Sequence, residues 1–271
     1  MKQTVAVVGH IEWVRFLRVD RALTPGAILR APEAVVEPAG GGGVAATDLA
    51  RLGGQSILIT ALGSDSFGQR IPEDMARANV TVVGPTRSVP HRQATTIIDP
   101  QGERTIIVVG PDQHATGAEI DPTIFDDIDA VYFCKGDAEI MRHARRARVL
   151  VATARVLHVV EESGVRLNAL VHSGSDPGER YQDGDLDVLP DLIATTDGSR
   201  GGVWRTADRS GRWRPAPLPG EPIDAYGAGD SFAAGLTWAL GAGMAPQQAV
   251  DFAATRGAAA MCRPGASTFV P

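Results

Sequence analysis

The sequence predicts a three-layer α/β/α fold with a mostly parallel central sheet. Short β-branched runs without polar alternation recur along the chain, as strands do when both faces of a parallel sheet are covered. Helical patterns lie between these runs, and the alternation of strands with helices is typical of this fold class. With 271 residues, 44% of them hydrophobic and 21% charged, we expect residues 1–271 to form a single domain with an ordinary core.

The predicted elements follow one another in a regular order. The first strand covers Thr4–Val8 and ends at Gly9. The later strands are Ser56–Ala61, Ala130–Cys134, Val149–Ala152, Ala169–Val171 and Leu192–Thr195. The helices are Val44–Leu52, Phe67–Ala78, Ala138–Arg148, Val156–Ser163, Ser231–Leu240 and Pro246–Met261.

Two segments, Ile11–Pro38 and Val80–Gly110, interrupt the strand–helix alternation. The second contains two β-rich runs on either side of Asp99-Pro100-Gln101-Gly102, whose proline and glycine predict a hairpin turn. We predict that both segments supply strands of a small β lid outside the main sheet. Such a lid would cover a ligand or pair with a second subunit to form a homodimer; the alternative is a β excursion without a role.

Composition excludes several classes of protein. The formal net charge of −6 disfavours a nucleic-acid partner. The apolar runs are too short to cross a membrane and the N-terminus has no signal-peptide pattern, so we expect no membrane partner and a cytoplasmic location. The two cysteines, Cys134 and Cys262, are too few for a disulfide framework and lack metal-ligand spacing.

The segment Asp224–Phe232 carries the most informative motif. The turn Gly227-Ala228-Gly229 precedes apolar residues at helical spacing, so it opens a helix whose free N–H groups and positive dipole end favour an anion. Asp230 lies at the start of that helix, where the same field favours the ionised form that a general base needs. The turn suits a transferring phosphoryl group while Asp230 accepts a hydroxyl proton; the alternative is a helix N-cap.

A second glycine turn, Gly40-Gly41-Gly42-Gly43, opens the helix that runs to Gly53. Glycines without side chains allow a ligand to lie directly on the backbone, although a glycine run is also common in plain loops. The first strand is not followed by G-x-G-x-x-G, and no G-x-x-x-x-G-K-[ST] occurs. The sequence therefore disfavours a dinucleotide oxidoreductase and a P-loop protein.

Four motifs together resemble the ribokinase-like (PfkB) family of carbohydrate and nucleoside kinases. Asp224–Phe232 resembles the signature D-T-x-G-A-G-D-x-F, with Ala225 in place of threonine, and Gly40–Gly53 is similar to G-G-x-x-A-N-x-A-x-x-L-A-R-L-G. Ala61–Gly68 resembles the turn G-x-x-G-x-D-x-F-G, and Thr196–Gly201 resembles the nucleotide-side T-x-G-x-x-G. The motifs occur in family order and span nearly the whole chain.

The resemblance implies a ribokinase-like core that transfers a phosphoryl group from ATP, with Mg²⁺, to a hydroxyl of a sugar or sugar-like metabolite. Asp230 would match the general base, with Gly227, Ala228 and Gly229 as the anion hole. The expected nucleotide residues are Thr196, Gly198, Gly201, Ala254 and Ala258. The expected substrate residues are Glu12, Trp13, Gly40, Gly41, Gly42 and Asp224.

The chain departs from the family pattern where the family carries polar substrate ligands. The usual asparagine of the second glycine motif reads Val44, and the usual aspartate after the first strand reads Val14. Glu12 would compensate as a hydrogen-bond acceptor and Trp13 as a stacking face; a surface charge and a packing residue explain them equally well. These losses leave open altered specificity or lost activity.

Magnesium ligands are the third departure, since the family's N-x-x-E stretch is not evident. Asp176 or Glu179 would hold the metal through water, and a solvated acidic loop is the alternative. Two further functions stay open. A nucleoside kinase is favoured by a base stacking on Trp13, and a non-catalytic metabolite-binding protein by the weak metal motif together with Val14 and Val44.

Overall fold

The computed structural model describes residues 3–266. The strands are β1 Val5–Val8, β2 Glu12–Arg18, β3 Glu33–Ala39, β4 Ser56–Ile59, β5 Leu62–Gly63, β6 Val80–Val83, β7 Thr86–Arg87, β8 Gln93–Ile98, β9 Arg104–Val109, β10 Ala130–Phe133, β11 Val149–Thr153, β12 Ala169–Ser173, β13 Leu192–Thr196, β14 Gly202–Arg205 and β15 Ser210–Trp213. The helices are α1 Gly40–Gly53, α2 Ser66–Arg77, α3 Ala138–Ala144, α4 Leu157–Ser163, α5 Ala228–Gly241 and α6 Pro246–Met261.

A nine-stranded central sheet has the order β15-β14-β13-β12-β11-β10-β1-β4-β6. The strands from β13 to β6 are parallel, and β14 and β15 continue the edge as an antiparallel pair. Side chains of α1, α2, α5 and α6 pack on one face of this sheet, and those of α3 and α4 pack on the other. The three-layer α/β/α fold with a mostly parallel sheet is therefore confirmed.

A separate four-stranded sheet, here called the accessory sheet, has the order β3-β2-β8-β9. Its hairpin turn falls where Pro100 and Gly102 predict it: the N–H of Asp99 donates to the carbonyl of Glu103 at 3.0 Å. The inner face of the accessory sheet, on which Val14, Phe16 and Ile98 lie, packs against α1 and the turn before α5.

One boundary of the predicted lid is wrong. β6 belongs to the central sheet, where it pairs in parallel with β4, and β7 pairs with β5 in a two-stranded sheet. Residues 80–87 are therefore not lid residues, and the accessory sheet takes only β8 and β9 from this segment. β6 follows α2 directly, so it completes a strand–helix–strand unit on the sheet edge.

The described residues differ from the expected elements in one further place. β14 and β15 form a hairpin that was not predicted from the sequence. Residues 3–266 include no helix that is both long and apolar enough to cross a membrane. Within the same range, Cys134 and Cys262 are free thiols.

Candidate active site

The predicted base, Asp230, lies where the parallel strands end. Asp230 is in the first turn of α5, and the hydroxyl of Tyr132, from β10, donates to its Oδ1 at 3.4 Å. The start of α1 lies against the same carboxylate, because a Cβ placed on Gly41 would stand 2.8 Å from Asp230 Oδ1. The fold therefore brings the two glycine motifs together around one half-buried carboxylate.

The turn before α5 requires glycine at its first position. Gly227 has φ +70°, and a Cβ there would stand 2.8 Å from Val44 Cγ1. The first N–H groups of a helix have no partner within it, so those of Gly229 and Asp230 are available to an anion. Gly229 is exposed, and a Cβ there would meet no atom within 4 Å. The local geometry is that of an open anion site at a helix N-terminus.

The pKa of Asp230 is raised to about 6. Removal from water is the main cause, and the negative charge of Glu179 adds to it. The positive charges of Arg155 and Arg104 and the hydrogen bond from Tyr132 act in the opposite direction without outweighing burial. Burial therefore shifts this pKa in the direction opposite to the one expected from the helix field, but a pKa near 6 leaves the carboxylate largely ionised at pH 7 and more basic than an ordinary aspartate.

The glycines at the start of α1 were predicted to give a ligand access to the backbone, but three of their N–H groups bind other parts of the protein. The N–H of Gly40 donates to the Tyr226 hydroxyl at 3.1 Å. The N–H of Gly41 donates to His10 Nε2 at 3.3 Å, and that of Gly42 to the His10 carbonyl at 3.0 Å. A Cβ on Gly42 would approach that carbonyl oxygen to 2.6 Å. The glycines let α1 begin directly against the end of β1, and Gly41 also leaves room for Asp230.

Two predicted substrate residues are occupied by protein contacts. Glu12 is buried and pairs with Arg92 at 2.7 Å, and burial raises the pKa of its carboxyl. Trp13 is buried, and its indole N–H donates to the carbonyl of Phe67 at 2.7 Å. The ring packs on Phe67 and under Arg70, so the predicted stacking face of Trp13 is a core contact with α2.

Asp224 is also a structural residue. Arg18 Nη2 donates to its Oδ2 at 2.7 Å, and the N–H groups of Tyr226 and Gly265 donate to its carboxylate at 3.0 and 3.1 Å. The carboxylate is buried and both of its oxygens accept hydrogen bonds from the protein, so the predicted substrate contact gains no support and stays a prediction. Asp224 instead fastens the turn before α5 to β2 of the accessory sheet.

The two valines that replace polar family residues are packed together. Val14 and Val44 are buried in one apolar cluster with Phe16 and Tyr226, and the rings of Phe16 and Tyr226 meet edge to face at 4.8 Å. A polar side chain at either position would face this cluster without water. The two departures are therefore parts of one rearranged contact between the accessory sheet, α1 and the turn.

The predicted nucleotide residues lie along the same end of the sheet. Thr196 ends β13, and Gly198 and Gly201 have positive φ of 52° and 84°. Ala254 is half-buried and Ala258 is buried on α6, which approaches the turn so closely that a Cβ on Gly257 would stand 3.2 Å from the Ala228 carbonyl. Ligands of open α/β sheets bind at this edge, so these five positions are compatible with a nucleotide site and remain predictions.

The candidate metal residues Asp176 and Glu179 both pair with Arg155, at 3.2 and 2.6 Å. Within residues 3–266, no three His, Cys, Asp or Glu side chains gather as a metal site. Magnesium often takes one or two protein carboxylates and completes its shell with phosphates and water. Glu179 lies close enough for its negative charge to raise the pKa of Asp230. It fits that limited role once its ion pair with Arg155 is broken.

Sequence analysis missed several residues around Asp230. Tyr132 could have been noticed, because a phenol inside an apolar strand run must find a polar partner. Arg104 and Arg155 also act on the Asp230 carboxylate, but nothing in their local sequence marks them. Tyr226, in the turn itself, binds Gly40 across 186 residues of sequence.

Comparisons with known proteins agree with this geometry. The family model described as pfkB family carbohydrate kinase matches residues 2–184 and 185–271. A fructokinase of Salmonella typhimurium is 27% identical, over 86% of this chain and 89% of the fructokinase. A ribokinase of Thermotoga maritima superposes with a TM-score of 0.80 at 21% identity, over 99% of this chain and 96% of the ribokinase.

A ribokinase of Arabidopsis thaliana, solved in complex with ribose and ATP, superposes with a TM-score of 0.75 at 17% identity, over 99% of this chain and 96% of that protein. The similarity in structure shows the ribokinase fold. The family model covers nearly every residue of the chain. The chain thus belongs to the pfkB family of carbohydrate kinases, which are phosphotransferases that act on hydroxyl groups.

Proposed function

We propose that the protein transfers the γ-phosphoryl group of ATP to a hydroxyl of a sugar-like metabolite, with Asp230 as general base. The observation that carries the proposal is the position of Asp230: a half-buried carboxylate with a pKa of about 6, directly after the glycine turn at the start of α5. A base of that pKa can accept a hydroxyl proton near neutral pH. The adjacent N–H groups offer stabilisation of charge on the phosphoryl group.

The chemical step follows from this arrangement. Asp230 accepts the proton of the acceptor hydroxyl as its oxygen forms a bond to the γ-phosphorus. The bond between that phosphorus and the bridging oxygen of the β-phosphate breaks, and ADP leaves with the electron pair. The N–H groups of Gly229 and Asp230 stabilise the negative charge that develops on the transferred group.

Magnesium would reach this site through Glu179, the carboxylate that lies near Asp230. When bound, the metal supplies positive charge to the β- and γ-phosphates. Arg155 must then give up its ion pair with Glu179, which frees a guanidinium beside the same phosphates. ATP use is implied by the family, and a cytoplasmic location remains a prediction.

Exposed residues on the inner face of β9 support a position for the acceptor. Ile106 and Val108 lie opposite Thr96 and Ala94, which are buried, yet each is 45% exposed. The inner face of the accessory sheet is therefore covered by other residues at β8 and exposed at β9. We place the acceptor there, between β9 and Asp230. The exposed apolar side chains of Ile106 and Val108 favour an acceptor with an apolar face over one that presents hydroxyls on every side.

The alternatives raised by the sequence have less support. The nucleoside hypothesis depends on a stacking role for Trp13, which is engaged with α2. The sensor hypothesis depends on Val14, Val44 and the weak metal motif, but a sensor has no need of the general base that we propose at Asp230. Dimerisation through the accessory sheet remains a proposal, supported by the exposed apolar residues Val36, Ile107 and Val109 on its outer face.

A thermal-shift screen tests the function directly. Sugars, polyols and nucleosides would each be added with and without a non-hydrolysable ATP analogue, and ATP turnover would be measured for every stabilising compound. A ligand at 100 times its dissociation constant stabilises the fold by about 2.7 kcal/mol. Asp230→Asn should keep nucleotide stabilisation and lose turnover. No stabilisation by ATP would contradict the proposal.

A further inference from the structure

We propose that Arg104, carried by the accessory sheet, contacts the γ-phosphoryl group of ATP and completes the anion site from the side opposite the helix N-terminus. This inference rests on the proposed function, because it assigns a residue to the same phosphoryl transfer. It assigns a chemical role to a side chain outside the motifs that resemble the family signatures.

The strand register points Arg104 toward the active site. Arg104 begins β9 directly opposite Ile98, which is buried on the inner face of the accessory sheet. Paired residues of adjacent strands project from the same face. One guanidinium N–H of Arg104 donates to the carbonyl of Ala225, two residues before Gly227. The side chain therefore reaches from the sheet to the turn that opens α5.

The charge of Arg104 is unlike the other positive charges around the site. Arg92 pairs with Glu12 and Asp112, and Arg155 pairs with Asp176 and Glu179. Arg18, on the same row of the accessory sheet, pairs with Asp224. Arg104 has no carboxylate within ion-pair distance among residues 3–266, and its one hydrogen bond there is to a neutral carbonyl.

A guanidinium has five N–H donors, so Arg104 can keep its bond to Ala225 and still present a fork to a phosphate. Its charge also lowers the pKa of Asp230, as expected for a guanidinium near that carboxylate. The acceptor hydroxyl must lie at Asp230 and the phosphoryl group between that hydroxyl and the turn. The bond to Ala225 holds the Arg104 guanidinium at this turn, beside the proposed position of the phosphoryl group.

Binding of nucleotides tests the assignment without knowledge of the acceptor. The affinities of β,γ-imido-ATP and of ADP, each with Mg²⁺, would be measured by calorimetry for the wild type, Arg104→Met and Arg104→Lys. We expect Arg104→Met to weaken the triphosphate about tenfold to hundredfold and ADP less than about twofold, as loss of a charged hydrogen bond predicts. Arg104→Lys should be intermediate, because it keeps the charge but not the fork.

Arg15→Met is the matched control, since Arg15 is exposed and lies on the outer face of β2 in the same sheet. It should leave both affinities unchanged. Equal weakening of ADP and the triphosphate by Arg104→Met, or no weakening of either, overturns the assignment while the kinase proposal stands. Arg104→Met could also leave the ratio of the ADP and β,γ-imido-ATP affinities unchanged but abolish thermal stabilisation by an acidic sugar. Arg104 would then contact the acceptor, and this result too would overturn the assignment. If the wild type binds neither nucleotide, the proposed function itself fails.

Discussion

Lowering the pH from 7 to 5 should remove about nine tenths of kcat/KM if Asp230 is the general base. Only the ionised carboxylate can accept the hydroxyl proton, and burial raises its pKa to about 6. With that value about 90% of the enzyme is active at pH 7 and about 10% at pH 5. An aspartate at its ordinary pKa of 3.8 would lose only about 6% over the same interval.

The assay is ADP release with an accepted substrate, measured from pH 4.5 to 8 under conditions in which the fold is intact. We use kcat/KM because it reports the free enzyme, which is the state the structure describes. Asp230→Asn should lower kcat/KM by about 10²–10⁴-fold and abolish the acid limb. Tyr132→Phe should move the limb to higher pH, because it removes the donor that stabilises the charged carboxylate.

Asp251→Asn is the control, since Asp251 is exposed on α6 and its side chain contacts only Gln247 among the described residues. It should reproduce the wild-type profile. A limb with a midpoint near pH 4 would refute the argument from burial. Full turnover by Asp230→Asn, or an acid limb that persists in it unchanged, would refute the general-base role.

Further substitutions test the geometry around Asp230 and an ion pair of α1. Gly41→Ala places a Cβ 2.8 Å from Asp230 Oδ1, so kcat/KM should fall at least about tenfold while the urea midpoint changes little. Gly227→Ala, with φ +70° and a clash with Val44, should lower the free energy of unfolding by about 2–4 kcal/mol, whereas Gly229→Ala should not. Arg263→Met should cost about 2 kcal/mol at pH 7, because it leaves the buried Asp48 carboxylate with one partner fewer. Burial alone would raise the pKa of Asp48, but the bonds from Arg263 hold it below the ordinary value, so this penalty should shrink as the pH falls and the carboxyl is protonated.

The fold could be predicted from sequence wherever a segment is buried on both faces. Thr4–Val8 and Leu192–Thr195 could be predicted as strands because Val5–Val8 and Leu192–Ala194 are apolar and buried without interruption. The hairpin of β14 and β15 was missed because both strands are only four residues long, and an exposed Val203 between buried Gly202 and Trp204 conceals the usual alternation of apolar and polar residues. β6 was assigned to the wrong sheet because an isolated β-branched run does not say which sheet edge it joins.

The site could be predicted only where a local motif defines it. Asp230 follows its turn at once, so glycine geometry and helix start were visible in the sequence. Glu12, Trp13 and Asp224 have the residue types that bind sugars, but their partners come from other parts of the chain. Arg18 meets Asp224 across 206 residues and Phe67 meets Trp13 across 54, which no local pattern reveals.

These long-range contacts join the accessory sheet, where we propose that the acceptor binds, to the glycine turn before α5. Arg18 holds Asp224, Phe16 packs on Tyr226, and the Tyr226 hydroxyl accepts the N–H of Gly40. A movement of the accessory sheet must therefore shift the turn before α5 or break a buried ion pair and an aromatic contact. Loss of the ion pair between Arg18 and Asp224 alone would strongly destabilise the fold, since it leaves the buried Asp224 carboxylate without a positive partner.

The same linkage gives a reason for the paired valines. A polar residue at position 44 would stand against Gly227, and one at position 14 would face the ring contact that fixes Tyr226. Either change alone would place an unpaired polar group in a cluster that connects the accessory sheet to the turn, at a cost of about 1–3 kcal/mol. Changed together, they exchange two polar acceptor contacts for a rigid apolar junction. Discrimination among acceptors must then come from the open inner face of β9, which is where altered specificity should be sought.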